Sequence, residues 1–344
     1  MSYTPLSSRA TLKNIAAQAG VSTATVSRAF SSPEKVSPAA LQKINAAITE
    51  LGYPPGLNQR YAGRARTRTL LILVPDICDP FFPAMIRGIE QTAAAAGYLT
   101  LIMDCAYQNI QETDLPSKLL TRQFDGILLL GSQLPTLSEW PHPDQLPPLV
   151  LANEFSAEPG LPAVHIDNLT AAFNAVSWLL DNGLQRIACL TGPENMSHCR
   201  YRRQGYIEAL RRRDIPVSPQ YLLRGDFSFA AGQQALNTLM ALPQPPQAIF
   251  CHNDQMALGV LHQAALRGIA IPDQLQVIGF DDIDAARYSY PPLTTVTQPR
   301  PLIGSEAASL LIDIIEGKTL SSGSRLLEAS LTLRGSTRAR NATD

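Results

Sequence analysis

A chain of 344 residues is too long for one small domain, and with 45% hydrophobic and 17% charged residues it has the apolar content for large buried cores. Its net charge of −1 conceals a division: residues 1–68 hold nine basic side chains against two acidic ones, a surplus of +7, and the remainder carries −8. A basic head on an acidic body suits a polyanion binder with a separate regulatory part, and no run of about 18 apolar residues exists that would span a bilayer.

The start of the chain lacks an apolar signal-peptide core, and five scattered cysteines do not form a disulfide framework. A cytoplasmic setting with reduced thiols, and no membrane partner, is therefore expected.

In chain order, Thr11 to Ala19 predicts a helix with Leu12, Ile15, Ala16 and Ala19 on one apolar stripe. Gly20 ends it, Val21 turns back to the core, and Ser22 caps a second helix starting at Thr23. Val26, Ala29 and Phe30 form the buried side of that second helix, leaving Thr23, Ala24, Ser27 and Arg28 outward. Two short helices about one glycine are the pattern of a helix-turn-helix whose second helix enters a DNA major groove. Ser37-Pro38 then opens a third helix on Leu41, Ile44, Ile48 and Leu51, closed by Gly52. The head is thus 1–52.

Residues 53–69 contain prolines, glycines and four arginines without apolar periodicity, the composition of a basic hinge. Two readings stand for it: a segment laid along the DNA backbone, or a flexible tether.

From residue 70 to 344 short β-rich runs alternate with helical stretches. Strands are expected at 70–74, 98–104, 126–131 and 148–154, then at 186–192, 248–254 and 275–282. Helices are expected at 82–96, 115–123, 171–181, 203–212, 229–240 and 255–265. Two successive arrays of this kind predict an α/β core of two doubly wound parallel-sheet lobes beneath an all-α helix-turn-helix head. Ligands bind such sheets beyond the carboxyl ends of the strands, so the cleft between lobes is the expected site.

The segments TLKNIAAQAGVSTATVSR, CHNDQMALG at 251–259, VIGFDDID at 277–284, PPLTTVTQP at 291–299 and RGSTR at 334–338 resemble the lactose-repressor type of bacterial transcription regulators. LVPDICDPFF, DCAYQN, LANEF and HIDNLTAAF are similar to a cytidine-responsive branch of that family. The resemblance implies a periplasmic-binding-protein-like core crossed three times by the chain, with lobe one at about 70–167 and 298–325 and lobe two at about 168–297 and 326–344. It implies double-stranded operator DNA, a small effector (cytidine or a related nucleoside) and a homodimer as partners, with the cyclic-AMP receptor protein as a neighbour in repression. It implies no cofactor and no catalytic or metal site.

By that resemblance Thr23, Ala24 and Arg28 read bases, with Ser27 beside them, while Thr11 and Ser22 contact phosphates. The chemistry agrees: arginine makes bidentate contacts to guanine, small methyls meet thymine, and hydroxyls at helix starts bind phosphate. Base readout is the favoured role for Arg28, and a surface phosphate contact or a solvated charge is the alternative. Arg60, Tyr61 and Arg64 are the hinge candidates. Tyr61 stands near the place of the family's wedging leucine, with local spacing one residue short, which predicts a weak or absent hinge helix.

For the effector the resemblance implicates Phe81 and Phe82 as stacking rings, Arg202 as the effector grip and Asp281 as acceptor of sugar hydroxyl or base N–H donors. Phe227, Asn253 and Asp254 stand behind them. Core packing for the rings, an interlobe ion pair for Arg202, and helix caps for Asp281 and Asp254 are the bland alternatives. An enzyme reading finds neither G-x-G-x-x-G nor G-x-x-x-x-G-K-[ST], and Cys251 and His252 are strand neighbours on opposite faces. A transport binding protein shares the core fold but needs no basic head. Within regulators, the runner-up is a sugar- or purine-responsive repressor.

Overall fold

The computed structural model describes residues 12–31, 35–51, 67–105, 123–131, 147–154, 161–318 and 324–339. Its contacts divide the chain into one unit from Met1 to Thr67 and another from Arg68 to Asp344.

The first unit holds α1 (Leu12–Ala19), α2 (Thr23–Ser31) and α3 (Pro38–Glu50). Gly20 at φ 65 reverses the chain after α1, and the Val21 N–H donates to the Ala16 carbonyl at 3.0 Å. That six-to-one bond closes the helix end, a conformation that glycine takes without a Cβ clash. Ser22 Oγ accepts from the Thr25 N–H at 3.1 Å, capping α2. Ile15, Val26 and Ile44, one from each helix, are buried to 1% exposure or less and join the three helices. Each such side chain contributes roughly 1.5–3 kcal/mol on burial. The side chains of Leu12 and Phe30 lie outside the described residues.

The second unit contains two six-stranded sheets. In the first lobe β1 (Thr69–Val74), β2 (Leu99–Asp104), β3 (Gly126–Leu129), β4 (Leu149–Ala152) and β5 (Ala163–Ile166) pair in parallel, in the order β5-β4-β3-β1-β2. The second lobe has β6 (Ile187–Thr191), β7 (Leu222–Arg224), β8 (Ala248–Cys251), β9 (Gln276–Asp281) and β10 (Thr294–Thr297), in the order β10-β9-β8-β6-β7. Helix α4 (Phe82–Ala95) serves the first lobe; α5 (Asn168–Asp181), α6 (Ser197–Arg211), α7 (Phe229–Met240), α8 (Asp254–Leu266) and the short α9 (Asp284–Tyr288) belong to the second stretch of chain.

The chain then returns: α10 (Arg300–Ile315) packs on α4 and the first sheet, and β11 (Ser324–Leu327) extends that sheet beside β5. It crosses again to place β12 (Ser330–Thr332) beside β10. Three crossings result, after β5, after β10 and after β11.

The expectation of parallel sheets needs one correction, because β12 runs antiparallel to β10. Only Glu328 and Ala329 separate β11 from β12. β11 runs toward the cleft with the other strands of its sheet, and the chain continues onward into the second lobe, so β12 enters that sheet from the carboxyl ends of its strands and runs against β10. The helix expected at 115–123 falls almost wholly outside the described residues.

Close approach of α4 and α10 is set by two glycines. A Cβ on Gly88 would lie 2.1 Å from the Pro301 carbonyl oxygen, and one on Gly304 2.1 Å from that of Met85. Among the described residues no helix is long and apolar enough to cross a membrane.

Candidate effector cleft and nucleic-acid interface

On α2, Thr23, Ala24 and Arg28 are exposed and Ser27 is half-buried, opposite the buried Val26 and Ala29. Positions 23 and 27, and 24 and 28, are one helical turn apart, so the four share an outward face. Ser22 is exposed, but its Oγ is occupied by the cap and by the Thr25 hydroxyl at 2.8 Å, so a phosphate would share an engaged oxygen. Thr11, Arg60, Tyr61 and Arg64 lie outside the described residues.

The carboxyl ends of both sheets face one cleft, with about 520 Å³ of empty space that includes its opening to solvent. From the first lobe come Asp79, Phe81 and Phe82 after β1, and Asn153 and Glu154 after β4. From the second come His198 and Arg202 on α6, Phe227 ahead of α7, Asn253 after β8 and Asp281 at the end of β9.

Pro80 and Phe81 begin the turn into α4, with the Phe81 N–H donating to Asp79 Oδ1 at 2.9 Å. Burial raises the Asp79 carboxyl, and that amide opposes the shift. The Phe81 and Phe82 rings meet edge to face, centroids 5.2 Å apart. Both rings are 5% exposed, so they serve the core as well as the cleft wall. Across the cleft Phe227, at φ 71, lies nearly parallel to the His198 ring, centroids 5.9 Å apart.

Arg202 is buried. Its Nε donates to Asn168 Oδ1 at 2.8 Å, its Nη1 donates to the His252 carbonyl, and its guanidinium carbon sits 3.6 Å from the Phe280 ring centroid. Asp281 Oδ1 stands 3.8 Å from Nη1 and accepts from Gln298 Nε2 at 2.8 Å. Burial pushes the Asp281 carboxyl up to about 7; Arg202 opposes this and Asp79 adds to it. Burial likewise pulls Arg202 down, with Asp281 opposing.

Glu154 joins the lobes. Its Oε1 accepts from the Ser197 hydroxyl, and its Oε2 meets His198 Nδ1 at 2.6 Å. Burial disfavours a charged imidazole, yet Cys199 and Glu154 beside it outweigh that and hold His198 at about 10.

Of the effector candidates, Phe81, Phe82, Arg202, Asp281, Phe227 and Asn253 are brought together here. Asn253 is the N-cap of α8: its Oδ1 accepts from the Met256 N–H and its Nδ2 donates to the Phe227 carbonyl, both at 3.0 Å. It thereby holds the Phe227 loop. Asp254 is not in the cleft wall. Fully buried at the first turn of α8, its carboxylate accepts from the Ile283 N–H at 2.8 Å and the Thr295 hydroxyl at 2.6 Å. The motif places it next to Asn253, but the helix turns it inward toward β10.

Sequence reasoning gave Asn153 and Glu154 no site role, although both lie in the LANEF segment, and considered His198 only beside Cys199, where zinc-site spacing is lacking. The available signal was position: polar residues directly after a buried strand sit at the cleft edge. Asn153, Phe227 and Asp281 all have positive φ, at 70, 71 and 112. Strained backbone of this kind gathers at binding sites, at about 1–3 kcal/mol each.

The Cys251 thiol is raised well above its ordinary value by burial, and His252 is kept neutral by burial and by Arg202. His252 Nδ1 accepts from the Gly192 N–H at 3.2 Å. These are interior groups without nucleophilic geometry. Among the described residues no group of three or more histidine, cysteine or carboxylate side chains could hold a metal.

Residues 11–56 match the profile of "Bacterial regulatory proteins, lacI family", and residues 176–337 that of "Periplasmic binding protein-like domain". The chain is 54% identical over 330 residues to the HTH-type transcriptional repressor CytR of Escherichia coli (strain K12), spanning 96% of this chain and 97% of that protein. It is 34% identical over 331 residues to the Ribose operon repressor of the same strain, spanning 95% and 99%. The solved transcriptional regulator CelR in complex with cellobiose shares the fold at a TM-score of 0.71 and 31% identity, over 95% of this chain and 100% of that one. The chain therefore belongs to the lacI family of bacterial regulatory proteins: it is an effector-regulated, sequence-specific DNA-binding transcriptional repressor and not an enzyme.

Proposed function

We propose that the effector is cytidine or a related nucleoside, bound between the lobes, and that its binding changes their angle and so the operator affinity of a homodimer. The observation that carries this reading is the pairing of aromatic walls, Phe81, Phe82 and Phe227, with the buried Arg202–Asp281 pair in one cleft. A nucleobase offers a π-face to such rings, and a ribose diol offers donors to a carboxylate. Arg202 and Asp281 act as grip and acceptor, with Asn253 positioning Phe227. Only a different affinity for the two lobe arrangements can move the equilibrium.

Thr23, Ala24, Ser27 and Arg28 read the operator half-site, with Ser22 and Thr11 on phosphates and Arg60, Tyr61 and Arg64 along the hinge. The working division is head 1–52, hinge 53–69 and core 70–344. One head reads one half-site, so two copies are needed. The exposed edge strand β2, with Leu99, Leu101 and Ile102 open, supplies an apolar surface suited to a second copy. The cyclic-AMP receptor protein belongs to this reading as a promoter neighbour, and induction as the sign of the response.

Calorimetric titration of the full chain with cytidine, adenosine, uridine and ribose tests the effector. Saturable nucleoside binding stronger than ribose binding supports it; ribose binding with no nucleoside preference favours a sugar-responsive repressor. Helical protection of amides 57–64 in the operator complex would contradict the weak hinge.

A further inference from the structure

We propose that Asn153 reads the hydrogen-bonding edge of the effector's base. The inference rests on the nucleoside reading and assigns a specificity residue to it.

Asn153 follows β4 directly at the carboxyl edge of the first sheet, and its N–H donates to the Val164 carbonyl at 2.7 Å. The backbone is thus pinned to β5. Its φ of 70 lies in the left-handed region, which asparagine tolerates better than most residues. The side chain lines the cleft, is 8% exposed, and its buried Oδ1 has no hydrogen-bond partner among the described residues.

The neighbouring polar groups are committed. Glu154 is held by Ser197 and His198, Asn253 by the Met256 N–H and the Phe227 carbonyl, and Oδ1 of Asp281 by Gln298 beside Arg202. An unpaired acceptor in a ligand cleft is unfavourable unless something that enters the cleft satisfies it. Ribose hydroxyls have a carboxylate acceptor on the opposite lobe. A base edge presents a donor and an acceptor side by side, and among these side chains the primary amide of Asn153 offers both complements together. The aromatic walls suit ring faces, so the edge needs a polar partner, and the unpartnered Oδ1 of Asn153 is the candidate for it.

The test is a residue–ligand cycle on the full-length protein. Native chain, Asn153→Gly and Asn153→Ala are titrated with cytidine, with its 4-deamino analogue (the pyrimidin-2-one ribonucleoside) and with ribose; if the native chain prefers adenosine, the purine ribonucleoside lacking the 6-amino group replaces the analogue. Glycine takes φ 70 without strain, so Asn153→Gly deletes the amide while keeping the backbone. The native protein should lose about five- to tenfold in affinity when the amino group is removed, in line with one neutral hydrogen bond. Asn153→Gly should show less than about a twofold difference between the two ligands, with ribose binding unchanged. An equal loss in native and variant, or a parallel fall in ribose binding, overturns the assignment while leaving the nucleoside reading intact. No nucleoside binding by the native chain overturns both.

Discussion

Glu154 of the first lobe and His198 of the second meet across the cleft, Oε2 to Nδ1 at 2.6 Å, with the His198 ring stacked beside Phe227. The contact ties the angle between lobes to a charge pair at the cleft wall. Replacing Glu154 by alanine leaves the Ser197 hydroxyl and the His198 ring without their acceptor, and we expect a loss of about 1–3 kcal/mol in unfolding free energy. The His198 pKa lies at about 10, above the ordinary value of roughly 6.5. A raised folded-state pKa gives stability that is full below the unfolded value and lost as pH rises through about 10. In Glu154→Gln, NMR titration of His198 should show its pKa moving down; an unmoved value would remove Glu154 as the cause.

Asp281 gives a second pH dependence. Burial places it at about 7, with Arg202 opposing and Asp79 adding to the shift. Its folded pKa exceeds the unfolded value of roughly 3.9, so its contribution to folding favours acid and declines as pH rises from about 4 through 7. Effector binding that needs the carboxylate runs the other way. Affinity should strengthen by about tenfold from pH 6 to pH 8 and then level off, because the ionised fraction rises by that factor. Asp281→Asn should bind more weakly and without this slope; a flat native profile would exclude an ionised acceptor.

Arg28 is the sharpest test of the head. Its exposure on the outward face of α2 leaves its side chain available to base edges. Arg28→Ala should cost about 1–3 kcal/mol at one operator base pair and relax the preference there. A uniform loss across all operator variants would make it a phosphate contact. Native affinity should also fall steeply with salt, and a shallow slope would contradict the role of the basic head.

Gly304 tests the helix seam of the first lobe. A Cβ there would stand 2.1 Å from the Met85 carbonyl oxygen, so α10 and α4 must part to admit it. Gly304→Ala should destabilise by about 1–3 kcal/mol in chemical denaturation. An unchanged midpoint would show that the seam yields without cost.

Sequence alone determined the three-helix head, because Ile15, Val26 and Ile44 follow helical spacing, and Gly20 and Ser22 carry turn and cap chemistry that acts within a few residues. It also determined β1, β3, β4, β6, β8 and β9, whose β-rich runs are buried on both faces, whereas β2, expected as a buried strand like them, is an exposed sheet edge. It did not reveal α10, although Glu306, Ser309 and Asp313 keep helical spacing on one half-buried face; the wide apolar face opposite, with Ile303, Ala307, Leu310 and Leu311, is accounted for only by packing on both α4 and the sheet. Nor did it show that β12 runs against β10, since that direction follows from the chain passing straight from one sheet's carboxyl edge into the other's. The cleft divided the same way. Family motifs indicated Arg202 and Asp281, whereas Asn153, Glu154 and His198 join them through contacts or positions set by the fold: Glu154 and His198 lie 44 residues apart in sequence and meet because two sheets point their carboxyl ends at one space. Asp254 shows the converse, a motif residue one step from Asn253 that the first turn of α8 rotates into the interior.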